Sequence, residues 1–174
     1  MVARWPLLGL VLAFCAGESL AACIDESHEL AVQALGPEAP GVPRGPTHRP
    51  GQPCLVCHGG QGPASARFLM AGTVYAVQGE SAPAAGARVT IEDVRGSSFT
   101  ATTNEVGNFF IKPDEWSLVY PAETQVALGD GPPELMGTHI SRDGSCADCH
   151  ALSSGPTSPG PVFAALAPLP DGGP

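Results

Sequence analysis

Between residues 67 and 134 the chain alternates apolar and polar positions in short runs. Gly72-Thr73-Val74-Tyr75-Ala76-Val77 reads as a strand. Arg88-Val89-Thr90-Ile91-Glu92-Asp93 and Ser98-Phe99-Thr100-Ala101-Thr102-Thr103 alternate with period two, and Arg95-Gly96-Ser97 turns the chain between them. Asn104 to Gly107 is a loop, Asn108-Phe109-Phe110-Ile111-Lys112 a further strand, and Thr124-Gln125-Val126-Ala127-Leu128 one more. Short strands spaced about ten residues apart predict an all-β fold, most simply a sandwich. Upstream, Asp25 to Leu35 suits a short helix that Gly36 and Pro37 end. Pro40 to Pro53 is rich in proline and glycine and is expected to run extended over a surface.

Composition agrees with this loop-rich picture. The chain has 174 residues, of which 22 are Gly and 19 are Pro, together about twice ordinary usage. The net charge is −9 with only eight Lys and Arg. They are scattered, which argues against nucleic-acid binding. The acidity serves solubility and would also steer a basic redox partner.

Two short motifs carry the chemistry. Cys54-Leu55-Val56-Cys57-His58 and Cys146-Ala147-Asp148-Cys149-His150 are both CxxCH, the attachment pattern of c-type haem. In this reading the paired cysteines hold the porphyrin covalently, and His58 and His150 are axial ligands. Thr47-His48 and Thr138-His139 each precede a motif by a short spacer. An extended spacer of six residues spans up to about 20 Å, enough to return a second imidazole to the opposite face of a haem. His48 and His139 are therefore the expected sixth ligands, giving two bis-histidine haems c that pass electrons. Met70 and Met136 are rivals assigned to packing, and His28 is expected to be solvated. With no triad, carboxylate pair or phosphate loop, enzymatic catalysis is not expected; ligand or peroxide chemistry stays open. A different reading uses Cys54, Cys57, Cys146 and Cys149 as a structural zinc site stapling a cell-envelope binding or scaffold protein. Disulfides within or between the pairs are a third. The histidine after each pair favours haem, because a four-cysteine zinc site has no use for it.

The N-terminus reads as a targeting segment over residues 1–22. Arg4 precedes an apolar stretch from Trp5 to Ala16, too short to span a bilayer. Leu20-Ala21-Ala22-Cys23 resembles the lipobox of bacterial lipoproteins. That resemblance implies cleavage before Cys23, its lipidation, and an outer-membrane lipoprotein facing the periplasm or cell surface. Ordinary cleavage after Ala21 or Ala22 is the competing reading. Export would place the CxxCH motifs where haem is attached, among other redox proteins of the cell envelope. Self-association is left open.

Gly72-Thr73-Val74, Pro83-Ala84-Ala85-Gly86-Ala87-Arg88-Val89 and Thr103-Asn104-Glu105-Val106-Gly107-Asn108-Phe109 resemble the carboxypeptidase regulatory-like domain. The resemblance implies an immunoglobulin- or transthyretin-like sandwich without catalytic residues, with Ser117-Leu118-Val119-Tyr120 in place of its closing strand signal. The whole layout is similar to exported di-haem proteins that set such a sandwich between two CxxCH motifs. The expected organisation is a signal segment (1–22), an arm with the first motif (23–66), the sandwich (67–134), the second motif (135–151) and a disordered tail (152–174).

Overall fold

A computed structural model describes residues 25–166. The expected signal segment, Cys23 and the last eight residues lie outside the described part. Among the described residues no helix is long and apolar enough to cross a membrane.

The fold is all-β, with two sheets and a few short helices. The smaller sheet has three strands: β1 (Met70–Val77) lies in the centre, antiparallel to β4 (Asn108–Ile111) and parallel to β7 (Val162–Ala165). The larger sheet runs β3 (Ser98–Thr102), β2 (Arg88–Asp93), β5 (Ala122–Ala127), β6 (Glu134–Leu135), with every pair antiparallel. Period-two alternation decides which side chains enter the core. Val89 and Ile91 of β2, Ala101 of β3 and Val126 of β5 point inward, against Met70, Val74, Phe109, Ile111 and Ala164 of the smaller sheet. Met70, expected to pack rather than ligate, is wholly buried in this core.

All five expected strands are present. β1 starts two residues earlier than the pattern suggests, because Met70 and Ala71 pair with β4. Its first five residues are buried without alternation, so both faces of this half-strand are covered. The stretch Ser117–Tyr120 forms no strand.

Three expectations need correction. The region from residue 152 on, read as a disordered tail, contains β7: Val162, Phe163 and Ala165 pair with Val74, Tyr75 and Val77, and Ala164 is buried. Four apolar residues suffice because a ready edge of β1 receives them. The Pro/Gly-rich arm does not run extended. It turns repeatedly, with Gly41 and Gly51 at positive φ. Arg49 pins it to α1 (Glu26–Ala34) by donating to the Leu35 and Gly36 carbonyls at 3.1 and 2.6 Å and to Glu38 at 3.0 Å. A cation at that helix's C-terminal end satisfies its free carbonyls. His28, expected to be solvated, is half-buried on α1, with its Nε2 shielded from water.

Candidate functional site

Each CxxCH forms a single helical turn: α2 is Cys54–His58 and α3 is Cys146–Cys149. Helical spacing explains the motif. Residues three and four apart share a face, which groups Cys54, Cys57 and His58, while His150 lies just past α3 in a non-helical conformation.

The two motif histidines are held alike. The His58 Nδ1 lies 2.8 Å from the Ala66 carbonyl, and the His150 Nδ1 lies 2.9 Å from the Gly160 carbonyl. A carbonyl only accepts, so both Nδ1 atoms carry the proton and donate it. Each Nε2 is left with a free lone pair, the tautomer a metal-ligating imidazole needs. Phe68 stacks on the His58 ring with centroids 4.2 Å apart, and Phe110 stacks on Phe68 at 4.7 Å, so the plane of His58 is fixed from β4 outward.

The arm brings His48 to the same place, its ring centroid 5.8 Å from that of His58 and tilted by 20°. Asn108 Nδ2 holds the arm by donating to the Pro46 and His48 carbonyls at 3.2 and 3.0 Å, while its Oδ1 accepts from the Thr73 hydroxyl at 2.7 Å. His48 differs from the motif histidines in tautomer: the Gly45 N–H donates to its Nδ1 at 3.3 Å, which places the ring proton on Nε2. Ligation through Nε2 requires that proton to move and this long bond to open.

A cavity of about 940 Å³ lies between α1, the arm and β4, lined by His48, Cys54, Cys57 and His58 among apolar groups such as Leu35 and Phe110. That volume is in the range of cofactor pockets. The donor set and this apolar lining suit a porphyrin.

The second Thr-His does not repeat this arrangement. His139 is exposed, and its Nε2 lies 3.2 Å from Glu123 Oε1 on β5. Among the described residues no ring contact joins His139 to His150. The neighbouring Ile140 bridges to Ala122, which keeps this stretch on the larger sheet.

The two motifs are seated on the same strand: the Gly51 amide, three residues before Cys54, donates to the Thr73 hydroxyl at 2.7 Å, and the Gly144 carbonyl, two residues before Cys146, accepts from the Ala71 amide at 3.0 Å. Burial, followed by lesser contributions that include the charges of Cys57 and Asp148, pushes the Cys54 thiol up to about 11. Burial and then the Cys54 charge push Cys146 up to about 12. Burial and a hydrogen bond with Asp143 push the Asp148 carboxyl up to about 6. All four cysteines are free thiols. Among the described residues no three His, Cys, Asp or Glu side chains converge as a metal-ligating group.

The two copies match over more than Thr-His and CxxCH. The first reads Thr47-His48-Arg49-x-Gly51, then CxxCH, then Gly62-Pro63-Ala64-Ser65; the second reads Thr138-His139, Arg142-x-Gly144, CxxCH, then Gly155-Pro156-Thr157-Ser158. In both, the Gly-Pro-x-Ser stretch leads to the carbonyl that holds the motif histidine, and then to a strand of the smaller sheet. The Gly-Pro-x-Ser half of this repeat, beyond the Thr-His and CxxCH pairing, is legible in the sequence itself.

Comparison with protein-family models, curated proteins and solved structures finds no match to this chain.

Proposed function

We propose that this chain is a one-electron carrier holding two haems c, with Cys54 and Cys57 attaching one and Cys146 and Cys149 the other. His58 and His150 would be their axial ligands. The observation that carries the reading is the matched pair of Nδ1–carbonyl bonds, to Ala66 and Gly160. A zinc site built on four cysteines gains nothing from orienting two histidines in this tautomer. When bound, haem supplies a reversible Fe(III)/Fe(II) couple whose potential follows ligand and burial. The residues do the rest. Ala66 and Gly160 orient the imidazoles, and Phe68 and Phe110 fix the plane of His58. His48 would be the second histidine to hold iron at the first motif, once its ring proton leaves Nε2. His139 lies beside Glu123 on the larger sheet instead, leaving the second motif with His150 alone from its own repeat.

The same reading takes residues 1–22 as a signal, Cys23 as a lipid anchor, and the partners as redox proteins of the cell envelope. It also takes the sandwich as the carboxypeptidase regulatory-like kind. Two of the matching segments fall on β1 and on the turn into β4, where Asn104 Oδ1 accepts from the Val106 and Asn108 amides at 3.1 and 3.0 Å.

The test is production of the full chain in a host with haem-attachment machinery. Intact mass should show two haems, with colour that resists acid-acetone extraction. A colourless protein holding one tight zinc ion overturns the proposal in favour of the staple.

A further inference from the structure

We propose that the two haems of the reading above meet edge to edge across β1, so that electrons pass between them within one chain, and that Gly72 is the positioning residue that sets their approach. Both motifs are anchored on three consecutive residues. The Gly51 amide donates to the Thr73 hydroxyl at 2.7 Å, three residues before Cys54. The Ala71 amide donates to the Gly144 carbonyl at 3.0 Å, two residues before Cys146, and Ala71 bridges to Ser145 in parallel register. Ala71 and Thr73 are about 7 Å apart along a strand. Both attachment points are thus seated on the same stretch of β1.

The alternation of β1 sorts the motifs. Ala71 and Thr73 share one face, and Ala71 lines the cavity of the first motif. Gly72 shares the opposite face with Met70 and Val74, where Cys146 packs against the core. A methyl group on Gly72 would lie 2.7 Å from Cys146 Cβ and 2.8 Å from its Sγ, closer than side-chain carbons approach one another. Only glycine admits Cys146 here. The chain then meets itself at the strand edge. A side chain on Gly51, ahead of the first motif, would collide with Leu152, just past the second, and lie 2.8 Å from Tyr75 Oη. Cys54 and Cys146 would each hold the attached edge of a porphyrin, and seating both motifs on the same stretch of β1 would bring those edges together.

The transfer balances simply. One electron leaves the ferrous iron of one haem and reduces the ferric iron of the other, with no bond made or broken. A one-electron protein donor supplies it, and a like acceptor removes it.

The experiment compares the full chain with two single-haem variants, C54A/C57A and C146A/C149A, all made with haem-attachment machinery and their haem counts set by mass. Coupled porphyrins give a bisignate Soret circular dichroism couplet that the sum of the single-haem spectra lacks. G72V, still carrying two haems by mass, should lose most of that couplet. Two haems with additive spectra overturn the edge contact and leave the carrier reading standing. A wild-type couplet retained in G72V overturns the role of Gly72. A chain that takes up no haem overturns both readings.

Discussion

The Gly160 carbonyl accepts the Nδ1–H of His150 at 2.9 Å, and Gly160 in turn is held by Ser158, whose Oγ accepts from the Gly160 and Ala151 amides at 3.1 and 2.9 Å. The second motif is thus oriented by a segment well downstream of it. Removing the Ser158 hydroxyl with S158A leaves β7 in place and loosens the carbonyl. A less basic imidazole stabilises ferric iron less. In a redox titration the potential of the second haem should move positive while the first stays put. The stability cost should be about 1 kcal/mol. Equal shifts at both haems would contradict this.

Asn108 ties His48 to β4. N108A leaves the His48 carbonyl without its donor and the Pro46 carbonyl with Asn104 Nδ2 alone, and removes the acceptor of the Thr73 hydroxyl. Unsatisfied buried groups of this kind cost about 2 kcal/mol, read as a drop of several degrees in Tm. The spectrum of the first haem should change and that of the second should not. An unaltered first-haem spectrum would mean that the arm does not position His48.

The two Thr-His dipeptides should separate by mutation. H48A is expected to convert one haem from low to high spin in electron paramagnetic resonance. H139A should leave both haems as they were, since Glu123 holds that side chain at the larger sheet. A high-spin signal in H139A would show that His139 leaves Glu123 to ligate iron.

In protein produced without haem, the thiols should govern alkaline stability. Cys54 and Cys146 have raised folded values, about 11 and 12 against an ordinary 9.0. The fold therefore favours their neutral form. Their contribution is complete below about pH 9 and is lost as pH rises through 11 to 12. Denaturant titrations at stepped pH should show stability falling above pH 9, and a C54A/C146A variant should flatten that slope.

The strands were legible because the sandwich is built by rules the sequence obeys. Val89, Ile91 and Ala101 alternate with exposed partners, so period two alone places them. β7 escaped because Phe163-Ala164-Ala165 has no turn signal or alternation of its own; an edge of β1, distant in sequence, makes it a strand. The cysteines and histidines of the two motifs stood out through local spacing. Their acceptors, Ala66 and Gly160, did not, because a backbone carbonyl leaves no mark in sequence. His48 and His139 looked equivalent, and only tertiary contacts with Asn108 and Glu123 separate them.

Because β7 follows the second motif in the chain and pairs with β1, it is made after both cysteine pairs. Both cysteine pairs leave the ribosome before the sheet can close over them. In an exported chain that emerges N-terminus first, this order would leave the four motif thiols reachable before β7 pairs with β1.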